Sequence, residues 1–320
     1  MLRFIEDQRV SKLTEDPLQG LRETPPRLSP RYFYDSLGSH LFAAITELDE
    51  YYPTRLERSI LVGQGDAIAR STGQGHTMVD LGAGDCVKAE LLLQRLQPAH
   101  YVAIDVAADF LKSSLRRIEA GFPRLKITGV AADFSEGLQW PADIECRRPL
   151  FFYPGSSIGN FSLPDARALL RSLCQVCVQS DDGCSDLLIG VDLLKSAARM
   201  QAAYDDALGV TASFNLNLLR HLSHLTGIDV DVRKFRHHAQ FNAAKGRMEM
   251  WLVSNCTQRL AWQGGSRVLR DGDAILTECS YKYAPDDFHR LLASSGFDVV
   301  QDWFDPARGF MVCHARSRRH

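Results

Sequence analysis

Apolar residues along this chain fall into two alternating rhythms. Short continuous apolar runs occur at Met78–Leu81, Tyr101–Ile104, Leu125–Val130, Leu150–Tyr153 and Leu187–Val191, as expected of strands buried on both faces. Between them, Val87–Leu96 and Ala166–Val178 repeat apolar residues every three or four positions and read as amphipathic helices. Helix alternating with strand from about Leu56 predicts a mostly parallel, doubly wound α/β sheet. The rhythm then breaks. Ser196–Thr226 reads as helical, Phe235–Asn255 as two strands and Ala274–Tyr283 as another. Asp286–Ala293 resumes as a helix, and Val299–Phe304 and Phe310–His314 read as a closing hairpin around the turn Asp305–Gly309. The first 30 or so residues are polar, carry Pro17, Pro25, Pro26 and Pro30, and predict a loosely structured lead-in. No internal repeat or low-complexity tract is apparent.

The turn after the first strand carries the most chemistry. Val79-Asp80-Leu81-Gly82-Ala83-Gly84-Asp85 runs from a strand into a helix N-terminus, and its glycines let the backbone turn sharply against a ligand. Asp105 closes the next apolar run, where nucleotide-binding α/β folds place an acid for ribose hydroxyls. Val87 replaces the third glycine of the dinucleotide fingerprint, and Asp85 sits where a pyrophosphate would want N–H groups. A ribose-bearing ligand with a cationic or neutral tail fits better than NAD, and S-adenosylmethionine, with its sulfonium, is such a ligand. Asp133 and Phe134, after the third strand, are placed to hold and cover an adenine. Five parallel strands, a terminal hairpin and a late insertion make the Rossmann-like methyltransferase plan. The insertion, joined by residues before Leu56, is expected to form a second domain over the strand C-termini.

Composition narrows the class. Hydrophobic residues make up 45% of the 320 positions, enough for a full core, and 24% are charged. A formal net charge of −2 disfavours a nucleic-acid or anionic-membrane footprint. The pairs Arg116-Arg117 and Arg147-Arg148 read as solvated faces, and the tail Arg316, Arg318, Arg319, His320 as a frayed terminus. No apolar run approaches the ~20 residues of a membrane span, and the N-terminus lacks a signal pattern. The eight cysteines are therefore expected to be reduced thiols of a cytoplasmic protein. Cys174 and Cys177 match C-x-x-C without a second pair, and Cys86 lacks an activating partner, so all three read as packing. His221, His224, His237 and His238 lack a recognisable ligand spacing, and no metal is expected.

Further candidates follow the fourth strand and fill the insertion. Tyr153–Phe161 contains Gly155, Gly159 and Asn160, an amide able to hold a carboxylate without adding charge. Tyr204-Asp205-Asp206, Gly209-Val210-Thr211 and Asn215-x-Asn217 are polar groups in a helical setting, read either as a cap with solvated amides or as groups with specific partners. Met248-Glu249-Met250 and Thr277-Glu278-Cys279-Ser280 alternate on strands, so Glu278 and Ser280 share one face.

Taken together, these segments resemble the histidine Nα-methyltransferases of ergothioneine biosynthesis. The resemblance runs from about Ser29 to the terminal hairpin. It rests on Tyr32-Phe33-Tyr34-Asp35 with Gly38-Ser39, Glu50-Tyr51-Tyr52-Pro53-Thr54-Arg55, the Gly82 turn, Gly155–Phe161, Ala203–Thr211, Phe214-Asn215 and Thr277–Tyr283. It implies cofactor positions at Tyr34, Gly82, Lys88, Asp105, Asp133 and Phe134, for S-adenosylmethionine. It implies substrate positions at Tyr51, Gly155, Asn160, Tyr204, Thr211, Met250, Glu278 and Ser280, with Tyr51 beside the α-amine. It further implies that Asn160 and Tyr204 hold the α-carboxylate of L-histidine, while Glu278 and Ser280 hold the imidazole. The expected organisation is a lead-in over 1–28, a substrate domain from 29–55 and 193–283, and a cofactor domain from 56–192 and 284–320. The expected protein is a monomeric enzyme trimethylating histidine to hercynine, without nucleic-acid or membrane partners. Two other readings stand beside it: methylation of another amino acid, and a non-catalytic cofactor-binding module.

Overall fold

In a computed structural model of the chain, the structure describes residues 2–6, 16–134, 137–138, 140–141, 144, 148–178 and 185–318. They divide into two compact units. One comprises Met1–Ser11, Pro53–Leu194 and Tyr281–His320; the other comprises Lys12–Tyr52 and Lys195–Ser280.

The first unit is built on an eight-stranded sheet. Numbered within this sheet, its strands are β1 (Leu2–Glu6), β2 (Thr77–Leu81), β3 (His100–Asp105), β4 (Lys126–Ala131), β5 (Pro149–Tyr153), β6 (Asp186–Asp192), β7 (Phe297–Phe304) and β8 (Phe310–Ser317). Their order is β1-β4-β3-β2-β5-β6-β8-β7. Strands β1 to β6 are parallel, and β8 and β7 complete the sheet antiparallel. This is the Rossmann-like sheet with a terminal hairpin that the apolar rhythm predicts.

Strand periodicity divides the core in two. Val79, Leu81, Val102, Ile104, Phe151, Leu187 and Ile189 enter one apolar cluster. Their neighbours Met78, Tyr101, Ala103, Leu150, Phe152 and Leu188 enter the other, so each central strand is buried on both faces. The flanking helices present one stripe each. Helix Val87–Leu96 buries Ala89, Leu92, Leu93 and Leu96; helix Ala108–Gly121 buries Leu111, Leu115 and Ile118; helix Pro285–Ser294 buries Phe288, Leu291 and Leu292.

Three expectations need correction. The lead-in contributes a sixth parallel strand, because β1 pairs with β4 in the register Phe4↔Gly129. Gly129 is what admits it: a Cβ there would lie 2.6 Å from the Phe4 ring and 2.5 Å from Leu115. Second, Ser196–Thr226 is not one helix. Ala197–Ala202 and Val210–Thr226 are separated by a turn ending at Gly209, φ 74°. The carboxylate of Asp206 then accepts the N–H groups of Val210 (2.9 Å) and Thr211 (2.7 Å), capping the longer helix. Third, the basic tail is not frayed where it is described. Arg316 bonds Asp186 at 2.8 Å and Arg318 pairs with Asp298 at 2.6 Å; Arg319 and His320 lie outside the described residues. Arg116 and Arg117 are exposed, as expected, and the Arg117 guanidinium also pairs with Glu90 and donates to the carbonyl of Asp85 at 2.6 Å. Arg147 lies outside the described residues.

The second unit has a three-stranded sheet with Arg247–Ser254 between Phe235–Asn242 and Ala274–Tyr281. Helix Val210–Thr226 presses Phe214 against Phe33, with stacked rings 4.5 Å apart. A separate hairpin, Gln258–Trp262 with Gly265–Leu269, was not anticipated from the sequence. Among the described residues no helix is long and apolar enough to cross a membrane.

If β1 is a working part of the sheet, Phe4→Ala should lower unfolding free energy by ~1–2 kcal/mol, the scale for a half-buried aromatic. Urea denaturation measures this. A midpoint identical to wild type would show that β1 contributes nothing to stability.

Candidate functional site

The C-terminal ends of the parallel strands gather the candidate cofactor residues of the first unit. After β2 the chain turns with φ 69° at Gly82 and 53° at Gly84. The N–H groups of Gly82 and Ala83 donate to the carbonyl of Ile104, at 2.9 and 3.1 Å. Asp105 completes the turn. One carboxylate oxygen accepts from Gly84 N–H at 2.8 Å, and the other from Ala107 N–H at 2.9 Å. Burial pushes its carboxyl above the ordinary range, opposed by the N–H groups of Ala107, Gly84 and Val106. A carboxylate has about four acceptor sites, so Asp105 can hold the loop and still accept from a ligand's hydroxyls.

Gly82 and Phe134 form a cradle suited to a flat ring. A Cβ on Gly82 would stand 3.9 Å from the Phe134 ring, which itself meets Tyr153 edge-on at 5.9 Å. Asp133 beside it is exposed. An adenosine-bearing ligand suits this set of a bare turn, a carboxylate and an aromatic cover.

Lys88 has a partner the sequence did not reveal. Its ammonium lies 2.7 Å from Glu57, a fully buried carboxylate on the helix Tyr52–Gly63. Both Glu57 oxygens lie 2.9 Å from the N–H of Gly155, the first glycine of the loop after β5. Further along that loop Gly159 packs so closely on the strand's end that a Cβ would meet the Tyr281 carbonyl at 2.7 Å. This fixes the short 3₁₀ turn Ser157–Asn160 and leaves Asn160 half-buried at its end. Where the chain returns from its insertion, a buried ion pair joins Lys282 to Asp192 at the end of β6, 2.8 Å apart.

Beneath the Gly82 turn, Asp80 accepts from the Tyr101 hydroxyl at 2.7 Å. Burial pushes its carboxyl up to about 7; the Tyr101 bond opposes this and the charge of Asp105 adds to it. Cys86 is buried at the foot of the turn, and burial with the nearby Asp80 pushes its thiol far up, so it is packing.

In the second unit, strand alternation along Ala274–Tyr281 puts Glu278 and Ser280 on one face and Cys279 on the other. Burial pushes the thiol of Cys279 up to about 11. Met250 is buried on the neighbouring strand Arg247–Ser254. Ser280 is buried and accepts from the hydroxyl of Tyr204 at 2.8 Å. His237 braces Tyr204 from behind. Its Nδ1 lies 2.8 Å from the amide nitrogen of Asn215 and its Nε2 lies 2.8 Å from the Tyr204 carbonyl, so Nε2 carries the proton. Burial lowers the pKa of this imidazole, which keeps it neutral. Tyr51 meets Tyr204 at 6.5 Å and Phe42 at 6.2 Å, both edge-on. The adjacent Tyr52 lies instead between Lys195 and Arg199, 4.5 and 4.9 Å from its ring. Tyr34 joins Phe42 and Phe214, and buried Thr211 donates its N–H to Asp206.

Asn215 and Asn217 thus have structural partners, Trp251 and His237 for one and Asp35 for the other. Sequence reasoning missed Glu57 altogether and did not reveal the partners of His237. Among the described residues one trio could offer ligands to a metal, His289, Asp302 and Cys313, with ligand atoms within 4.8 Å of one another. The imidazole of His289 lies 2.9 Å from Asp302 there. None of His221, His224, His237 and His238 belongs to it.

Comparison with known proteins adds a sequence-wide finding. Residues 13–317 match the profile of a family described as histidine-specific methyltransferase, SAM-dependent. The chain is 38% identical over 313 residues to a histidine N-alpha-methyltransferase of Mycobacterium tuberculosis, covering 95% of each. It is 37% identical to the one of Mycolicibacterium smegmatis, covering 95% of this chain and 94% of that protein. To ergothioneine biosynthesis protein 1 of Neurospora crassa it is 30% identical over 90% of its length, spanning 32% of that longer protein.

The Asp80 carboxyl yields a pH test. It holds its proton to about pH 7 in the folded chain, whereas an unfolded Asp loses it near pH 4. Its cost to folding is absent below pH 4, grows as pH rises to about 7, and is complete above. Asp80→Asn should therefore gain stability relative to wild type between pH 5 and pH 8. Denaturation curves at both values decide it; an equal difference at each would mean Asp80 ionises normally.

Proposed function

The chain belongs to the S-adenosylmethionine-dependent, histidine-specific methyltransferase family, and on that footing we propose that it trimethylates the α-amine of L-histidine to hercynine in ergothioneine biosynthesis. One structural observation carries the reading within the family. Tyr204 and Ser280, both implied substrate residues and 76 positions apart, meet through a 2.8 Å hydrogen bond, and Glu278 shares the strand face of Ser280.

S-adenosylmethionine, when bound, supplies an electrophilic methyl group on sulfur. The residues' task is to bind, orient and exclude water. In this reading Gly82, Lys88, Asp105, Asp133, Phe134 and Tyr34 hold the cofactor. Asn160 and Tyr204 hold the substrate carboxylate, and Gly155 and Thr211 are further substrate residues. Glu278 and Ser280 take the imidazole against Met250. The Tyr204 hydroxyl has a single proton, so to hold the carboxylate it turns that proton from Ser280 to the carboxylate, and Ser280 then donates to the Tyr204 oxygen instead. The α-amine must present a neutral lone pair at each transfer. After the first and second transfers an ammonium proton must leave; the third product is quaternary and has none. In this reading Tyr51 lies beside the amine and orients it. Residues 29–55 and 193–283 form the substrate-binding part in this reading, and 56–192 with 284–320 the cofactor-binding part.

Mass spectrometry of purified protein with the cofactor and single amino acids tests the activity. Mono-, di- and trimethylhistidine should appear, and the other amino acids should stay unmodified. Faster methylation of another amino acid would transfer the assignment to that substrate. No methylation with retained cofactor binding would instead indicate a non-catalytic module.

Histamine keeps the amine and imidazole but lacks the carboxylate. Its kcat/KM should fall at least ~100-fold below that of histidine, because buried groups built to bond a missing partner are left unpaired. Comparable values would remove Asn160 and Tyr204 from carboxylate binding.

A further inference from the structure

We propose that Glu57 is a positioning residue that locks Lys88 and the Gly155 loop together, so that cofactor and amino-acid binding both depend on it. The inference rests on the functional reading above for what the two loops bind, and on geometry for the lock itself. Glu57 is fully buried, yet its carboxylate reaches two loops that leave different strands. It bonds the Lys88 ammonium at 2.7 Å, in the first turn of the helix that follows the Gly82 turn. It accepts the Gly155 N–H with both oxygens at 2.9 Å, at the start of the loop that carries Asn160.

The surroundings are shaped for this carboxylate. Gly190, in the middle of β6, leaves the space it fills: a Cβ there would lie 1.9 Å from Glu57 Oε1. Gly155 has φ 80°, and a Cβ on it would stand 3.1 Å from the Lys88 ammonium. Two glycines on separate strands or loops thus leave room for one ion pair. A buried carboxylate is stable only when paired and hydrogen-bonded, and a partner left behind is costly. Without Glu57 the Lys88 ammonium would lose its anchor and turn towards solvent, and the Gly155 N–H would lose its acceptor.

Glu57→Gln separates these roles, because an amide oxygen can still accept from Gly155 but carries no charge for Lys88. The probe is S-adenosylhomocysteine, which binds without reacting. By calorimetry its Kd should rise on the order of tenfold, as expected when a charge-assisted bond is lost. The KM for histidine should rise severalfold, more than kcat falls. In a Lys88→Met background the same substitution should have little further effect on Kd, since the two act as one unit. Glu57→Asp, which keeps the charge but draws it back, should fold and weaken binding in the same direction, which covers the case of an unstable amide variant.

The idea is overturned if the folded variants lose Tm while Kd and KM stay at wild-type values, a purely structural outcome. Additive effects of Glu57→Gln and Lys88→Met would overturn it too. Should histidine not be the substrate, KM carries no information, but the Kd measurements and the double mutant still judge Glu57.

Discussion

A chain leaving a buried parallel strand abandons its ladder partners, and each N–H of the next turn needs a new acceptor. That constraint shapes the candidate site. Asp105 accepts from Gly84 and Ala107, Glu57 from Gly155, and the Ser156 hydroxyl from Asp192. Asp206 does the same for Val210 and Thr211 in the second unit. At these points the acceptors are side chains, whereas the carbonyl of Ile104 meets the N–H groups of Gly82 and Ala83. Together these bonds fix the shapes of the loops.

The same device sets the charge of the first unit's strand ends. Asp80, Asp105 and Glu57 are buried acids, and Lys88 is the cation paired with one of them. Burial holds Asp80 and Asp105 above their ordinary pKa, with the charge of Asp105 adding to the effect on Asp80. A positively charged ligand group relieves such crowding, whereas a pyrophosphate would add to it. The sulfonium expected from Asp85 and the missing third glycine is therefore also the group this inventory of buried charges suits.

What could be read from the sequence was whatever repeats. Central strands buried on both faces gave unbroken apolar runs, and their flanking helices gave stripes at three and four; those elements fall where the rhythm predicts them. β1 escaped because its five residues are an edge strand beside a proline-rich stretch, and its docking depends on a bare glycine 125 positions later, Phe4 against Gly129. The hairpin Gln258–Leu269 escaped because each strand buries one residue fully, Leu260 and Leu269, which leaves no alternation to detect. Glu57 escaped for a different reason. On a helix of mixed polarity an acid looks solvated, and only the missing side chains of Gly155 and Gly190 show that it is enclosed.

Support of this kind also bears on how the second unit would choose its substrate. Tyr204 and Ser280 meet because His237 holds the Tyr204 carbonyl and Asn215 holds His237. The imidazole stays neutral because it is buried, which lets Nδ1 accept while Nε2 donates. A charged imidazole would have two donors, and the Asn215 amide would have to turn to meet it. The hydroxyl geometry at Ser280 is thus set two bonds away from any ligand. His237 and Asn215 can therefore shift the position of Tyr204 with no change at Glu278 or Ser280.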